Sequence, residues 1–396
     1  MKAIEFNRSN FTTFEDVRLA NNGTFPGFLF LRHFLSMVIL AHHARIALRG
    51  FREGALSVEG ALQTGQAFSS FVLSAEAFRP FLYALVGSFF ALSGFLVTGS
   101  ALRTRAVRTF LVFRGLRIFP ALASEITLSA LLLGAGVTIV PLSSYFSSPE
   151  LYSYFLNVLG FAHYTLPGVF ESNPIPLLVN ANLWTLGPEF YCYLIMAFAM
   201  AFGLVYRRFA FLVCIVLVTL VLGTLQATDL IDLPTRWDST RFTRWMIVYM
   251  FFLGVILALY ADRIPRSFLL FVICGCGYVV LMWTFASDML ACVLLAYCTV
   301  YVGSLDLRWF DRAFGADYSY GLYLYGYPIT QTLVFFALPA GILKQNMVST
   351  ILLVIASIAL TLVFSAISWK FVESPALKLR KFFFETVTVK AKIRSR

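Results

Sequence analysis

The chain has 396 residues, 59% hydrophobic and 13% charged, with 42 phenylalanines, a net charge of +11 and a mean hydropathy of +0.80. That profile excludes a soluble globular domain, whose core needs a polar shell, and makes the bilayer the solvent of this chain. Its Lys and Arg residues gather at the ends of apolar runs instead of forming an aromatic-interleaved patch, so membrane topology explains them and no nucleic-acid partner is expected.

Residues 1–27 form a polar lead without a compact apolar stretch and small-residue cleavage site, which reads as a retained cytoplasmic segment. Ten apolar segments follow, near 28–48, 81–100, 118–141, 183–205, 209–227, 244–261, 268–285, 288–304, 318–341 and 347–371. They predict an all-α membrane protein, a polytopic bundle of about ten transmembrane helices in one domain over 28–376, followed by a basic cytoplasmic tail at 377–396. With both ends cytoplasmic, 22 of the 31 Lys and Arg residues fall on the inner side and seven on the outer, the sense the positive-inside rule selects. This predicts an integral protein of an inner, or plasma, membrane.

No Lys or Arg occurs from Ile118 to Val205, which suits a translocated outer segment at about 142–182. Within it, "PELYSYFLNVLGFAHYTLPGVF" is apolar but interrupted by His163 and Pro167, and predicts a re-entrant or interfacial helix. The six cysteines all fall in apolar runs without zinc-ligand spacing, so packing is their expected role and no metal site is expected. No internal repeat is visible.

Charged groups at bilayer depth cost ~2.5–3.5 kcal/mol each on insertion scales, so each embedded one needs a partner or a purpose. In the first segment Arg32 and His43 are eleven residues apart, which returns to within about 20° on a helix and separates them by ~16 Å along its axis. They share a face, Arg32 toward the cytoplasmic edge and His43 in the outer part of the membrane, while His33 and His42 point elsewhere. Either the pair is functional, or Arg32 snorkels and His43 bonds a neighbouring helix.

In "NLWTLGPEFYCYLI" Glu189 is expected about two turns below the outer surface, behind Trp184, at a depth comparable with His43. A carboxylate that orients an imidazole gives a general base able to take a hydroxyl proton; the competing role is a helix–helix hydrogen bond. "DYSYGLYLYGYPITQ" lines up Tyr320, Tyr323 and further tyrosines around Pro328, a surface suited to a sugar or nucleotide ring and also common at membrane interfaces. "FRGLRIFP" puts Arg114 and Arg117 on one helical face at the membrane edge, either a seat for phosphates or a topological anchor. No Walker motif accompanies them.

Taken in order, Arg32 with His43, "FFALSGFLVTG", "FRGLRIFP", "LWTLGPEFYCY", "YSYGLYLYGYPI" and "FVESP" resemble the acyltransferase 3 family, integral membrane O-acyltransferases that include O-antigen, exopolysaccharide and nodulation-factor acetylases. The resemblance spans about residues 28–376. It implies transfer of an acyl group, usually acetyl, from cytoplasmic acyl-CoA to a hydroxyl of a cell-surface, exported or lipid-linked carbohydrate, with acetyl-CoA as donor substrate and no bound cofactor. It further implies His43 as catalytic base or acyl relay with Glu189 as the family glutamate. Arg32, Ser93, Gly94, Arg114, Arg117, Trp184, Tyr193, Tyr320 and Tyr323 would serve substrate or acyl-CoA, and Glu373 matches a glutamate before proline near the end.

Two positions depart from the family pattern: Thr185 replaces a frequent serine, and Gly326 stands where the family often has a second histidine. A mechanism that requires two histidines is therefore put in doubt. The rival class is a transporter or flippase of a lipid-linked sugar, which commonly shows repeat symmetry.

Overall fold

The fold was analysed in a computed structural model, which describes residues 13–50, 78–228, 243–284 and 287–380. The first twelve residues of the lead, residues 51–77 and 229–242 with Arg52, Arg236 and Arg241, and residues 381–396 of the basic tail lie outside the described residues. The helices are, in chain order, α1 (Phe14–Ala20), α2 (Phe28–Arg49), α3 (Arg79–Thr104), α4 (Val107–Leu128), α5 (Leu142–Ser147), α6 (Pro149–Phe155), α7 (Leu186–Ala201), α8 (Arg208–Ala227), α9 (Arg244–Leu259), α10 (Phe268–Thr284), α11 (Asp288–Gly303), α12 (Arg308–Phe314), α13 (Ser319–Ala337) and α14 (Met347–Ser368). No strand occurs among the described residues.

Each of the ten apolar segments contains a helix, but about ten spans is not confirmed. Five described helices are long and apolar enough to cross a membrane, or six if α11 and α12, bent by 71°, count as one. The shortfall has physical causes. α9 and α10, with 16 and 17 residues, reach only ~24–26 Å against ~30 Å of hydrocarbon. α2 and α13 carry the polar side chains of the candidate site, which lower their apolar character.

In the segment 142–182, α5 and α6 are six and seven residues long, and α6 with the 3-10 turn Leu156–Leu159 forms the helical part of the stretch expected as a re-entrant or interfacial helix. The segment's shape is held by polar contacts, such as Tyr145 OH donating to the Ala130 carbonyl at 2.6 Å. Of the cysteines, Cys192, Cys274 and Cys292 are buried, whereas Cys214 and Cys276 are exposed, so packing does not account for all six.

The chain forms two compact units. The first comprises residues 1–32, 53–105 and 194–315. Its centre is the crossing of α3 and α9, where backbone meets backbone. A Cβ on Gly94 would lie 1.8 Å from the Phe251 carbonyl oxygen, and one on Gly254 would lie 1.9 Å from that of Ala91. Only glycine permits this approach, the small-residue packing expected where lipid removes the hydrophobic drive between helices. Arg79 is buried in the same unit, donating to the Met282 carbonyl at 2.7 Å and facing Asp288 at 3.5 Å.

The second unit comprises residues 33–52, 106–193 and 316–396. α13 is its spine. α2 runs beside it in the same direction, with Ser36 bonded to the Ser319 carbonyl, Leu40 against Gly326 and Ala47 clustered with Val334. α14 runs antiparallel: the Thr330 hydroxyl meets Ser357 at 3.0 Å, and a Cβ on Gly321 would come within 2.8 Å of Ser365. Hydroxyls bonded across helices replace the missing hydrophobic drive here too.

Candidate active site

α4 begins at Val107, eleven residues before the apolar segment from which it was expected to start. Arg114 and Arg117 therefore stand about two and three turns inside a helix, not at its mouth. The apolar pattern missed this because arginines interrupt it, while the helix tolerates them once they are answered.

The answers come from three directions. Arg117 Nη2 donates to Asp317 Oδ2 at 2.8 Å, and its Nη1 lies 3.7 Å from Glu373 Oε2. The same guanidinium lies 5.8 Å from the Tyr320 ring centroid, and the Tyr320 hydroxyl donates to the Ile118 carbonyl at 3.3 Å. Arg114 lies 5.9 Å from the ring of Tyr193. Such charge-assisted and cation–π contacts are worth more out of water than in it.

Asp317 is itself held in place. Its Oδ1 accepts from the amide and hydroxyl of Ser319, a local turn of the kind that aspartate favours before a helix. The fully buried His33 then accepts from the Tyr318 amide at 3.2 Å through Nε2. His33, expected to point away from the functional face, thus fastens the start of α13, and so does Ser36.

Glu189 stands in the first turn of α7, where Pro188 costs no hydrogen bond and the helix N-terminus favours a carboxylate. Its Oε1 accepts from Tyr193 OH at 2.7 Å, and both Arg114 and Arg117 lie within its electrostatic reach. This neighbourhood brings together residues assigned from sequence to opposite sides of the membrane: a glutamate near the outer surface and arginines at the inner edge. Arg114 and Arg117 gave that impression because they precede the apolar run that starts at 118.

One turn further along α13, the Tyr323 and Thr185 hydroxyls are 2.8 Å apart, so threonine offers a hydroxyl at the position where serine is frequent. Trp184 precedes it in the 3-10 turn Ala181–Thr185 and is 9% exposed. Beside this layer lies Glu125, fully buried on α4. Its Oε1 accepts from Ser129 Oγ at 2.8 Å and from Asn180 Nδ2 at 3.0 Å, and Asn180 also donates to the Leu324 carbonyl at 2.9 Å. Sequence reading missed Glu125, although a lone acid inside an apolar run is the signal that should have marked it.

A further turn on, the His43 ring meets Tyr327 edge-to-face, with centroids 5.2 Å apart. The adjacent Gly326, where the family often has a second histidine, packs against Leu40: a Cβ there would come within 2.8 Å of Leu40 Cδ1. Tyr320, near the arginines, and Tyr327, against His43, are seven residues apart, or ~10 Å along the helix. Glu189 thus has the arginines and Tyr193 around it, while His43 has Tyr327.

Gln331 closes this end, donating to the Ile175 and Leu178 carbonyls at 3.1 and 2.8 Å. Arg32 is half-buried on α2 and falls in the first unit, as do Ser93 and Gly94, which lie in the middle of α3. Among the described residues no group of His, Cys, Asp and Glu is arranged to hold a metal ion.

A family model described as an acyltransferase domain matches residues 29–370. Two relatives resemble the chain. Nodulation protein 10 of Rhizobium leguminosarum bv. viciae is 26% identical over 325 residues, covering 74% of this chain and 82% of the relative. An O-acetyl transferase of Shigella phage Sf6 is 27% identical over 302 residues, covering 72% and 82%. No solved structure matches.

Proposed function

From the premise that the chain belongs to the acyltransferase 3 family of integral membrane proteins, we propose that it moves an acyl group, acetyl in the simplest case, from acyl-CoA to a hydroxyl of an exported or lipid-linked carbohydrate. The observation that carries the reading is the arrangement along α13. A cluster of guanidiniums, carboxylates and tyrosines lies at Tyr320, and an imidazole lies against Tyr327 about two turns away. The first suits an anionic donor and the second a hydroxyl acceptor.

In this reading His43 takes the proton of the acceptor hydroxyl as the oxygen attacks the thioester carbonyl. The carbon–sulfur bond breaks, the CoA thiolate leaves, and the proton passes from the imidazole to the thiolate. Product ester and free CoA account for all atoms. Arg114 faces the donor phosphates, Tyr193 and Glu189 line the approach, and Tyr320 and Tyr323 present ring faces and hydroxyls to nucleotide or sugar. Arg32, on the face of α2 that carries His43, serves the substrate as well. Ser93, Gly94 and Trp184 retain the binding roles that the resemblance implies, and Glu373 supports Arg117.

The same reading places the protein in a bacterial inner membrane with both termini cytoplasmic and the donor entering from that side. The relative named O-acetyl transferase supports acetyl as the acyl group. The test is incubation of the purified protein with labelled acetyl-CoA and cell glycans, with His43→Ala as control. Label on glycan hydroxyls that is lost in the variant supports the reading, and equal labelling by both overturns the role of His43. A flippase of lipid-linked sugar would consume no acetyl-CoA.

A further inference from the structure

Beyond the end of the family match at residue 370, the last helix continues to Arg380, the end of an apolar helical stretch that starts at Met347. Arg380 turns back onto α4. Its Nη2 donates to the Phe113 carbonyl at 2.9 Å, and its guanidinium lies 5.7 Å from the centroid of the Phe113 ring. The side chain of the next residue on α4 is Arg114. Arg114 and Arg117 both act on Arg380 as like charges, and Tyr193 is the remaining group within electrostatic reach among the described residues.

Three guanidiniums thus share one corner of the second unit. Their surroundings differ in a way that ranks them. Arg117 is spanned by Asp317 and Glu373, and Glu189 lies within reach of Arg114. Among the described residues, no carboxylate stands with the groups acting on Arg380. Its Nε is buried and has no hydrogen-bond partner among the described residues. A cation drawn toward two others, with a donor still unspent, is arranged for an anion that is not part of the chain.

We propose that Arg380 is a phosphate-binding residue that forms, with Arg114, the two-guanidinium seat for a phosphate of acyl-CoA, while Arg117 is a positioning residue locked by its carboxylates. This rests on the acyl-CoA reading above. It moves the seat from the Arg114–Arg117 pair to a pair contributed by two distant parts of the sequence. Phosphate chemistry has a second source here, an anionic lipid headgroup, which the test separates.

The full-length protein in neutral detergent is titrated with CoA by calorimetry for wild type, Arg380→Gln, Arg380→Lys and Arg114→Gln. Arg380→Gln is expected to weaken CoA binding about tenfold, Arg380→Lys to recover part of the loss, and the thermal midpoint without CoA to stay within about 2 °C. In a parallel arm, wild type is treated with phenylglyoxal and mapped by mass spectrometry, with protection of Arg380 expected from CoA and not from phosphatidylglycerol. That arm stands even if the glutamine variant fails to fold.

Unchanged CoA affinity in Arg380→Gln, or protection by phosphatidylglycerol alone, overturns the assignment. So does a lowered thermal midpoint with CoA affinity intact, the mark of a structural staple. If Arg114→Gln weakens CoA binding and Arg380→Gln does not, only the role of Arg380 fails. If wild type binds no CoA, the acyl-CoA reading itself fails.

Discussion

Arg117 and Asp317, two hundred residues apart in sequence, are joined by a 2.8 Å bond between guanidinium and carboxylate. Side-chain exposures of 21% and 15% place the pair between the screened surface and the dry interior, where breaking it leaves a poorly hydrated charge. Asp317→Asn is expected to lower stability by about 1–2 kcal/mol, less than for a fully buried pair because Glu373 still answers Arg117. Thermal unfolding in detergent measures it. A double-mutant cycle with Arg117→Met should show coupling well above measurement error.

His33 predicts a split between two variants. His33→Leu removes the acceptor of the Tyr318 amide and loosens the entry to α13, where Asp317 precedes the helix and Tyr320 lies in its first turn. His33→Gln retains an acceptor at similar reach. The leucine variant should raise the KM for acetyl-CoA several-fold with a smaller change in kcat, and glutamine should restore much of it; equal behaviour of both would argue against this role.

At Glu125, shape and acceptor capacity are expected to matter more than charge. Glu125→Gln keeps an oxygen for Ser129 and Asn180 and should stay within about 1 kcal/mol of wild type in stability. Glu125→Leu strands both donors and should cost about 2–4 kcal/mol. Urea or thermal unfolding of the three proteins in one detergent decides it.

Gly94→Ala and Gly254→Ala each drive a methyl group into a facing carbonyl oxygen. Either substitution should separate α3 from α9 and cost about 1–3 kcal/mol. Ser93→Ala, at a half-buried neighbouring position, should cost less than either in the same thermal scan.

By contrast Asp262→Ala is expected to leave the thermal midpoint unchanged. Its carboxylate accepts from Arg208 Nη1 at 2.9 Å to each oxygen, on side chains 47% and 40% exposed. Water and salt screen such a pair.

By itself the sequence determined the membrane environment, the all-helical class, a helix in each of ten apolar segments and the family, because these follow from composition, periodicity and short motifs that need no partner. It also marked Arg114, Arg117, Glu189 and His43, since a polar group in an apolar run is conspicuous wherever it folds. Which of these meet was decided only by the tertiary structure. The depth of Glu189 depended on where α4 begins, and apolar counting started that helix eleven residues late. Asp317, His33 and Glu125 draw their roles from residues 200, 285 and 55 positions away, separations that no local pattern encodes. The neighbour of Gly326 is likewise set by the tertiary structure, because Leu40 comes from another helix.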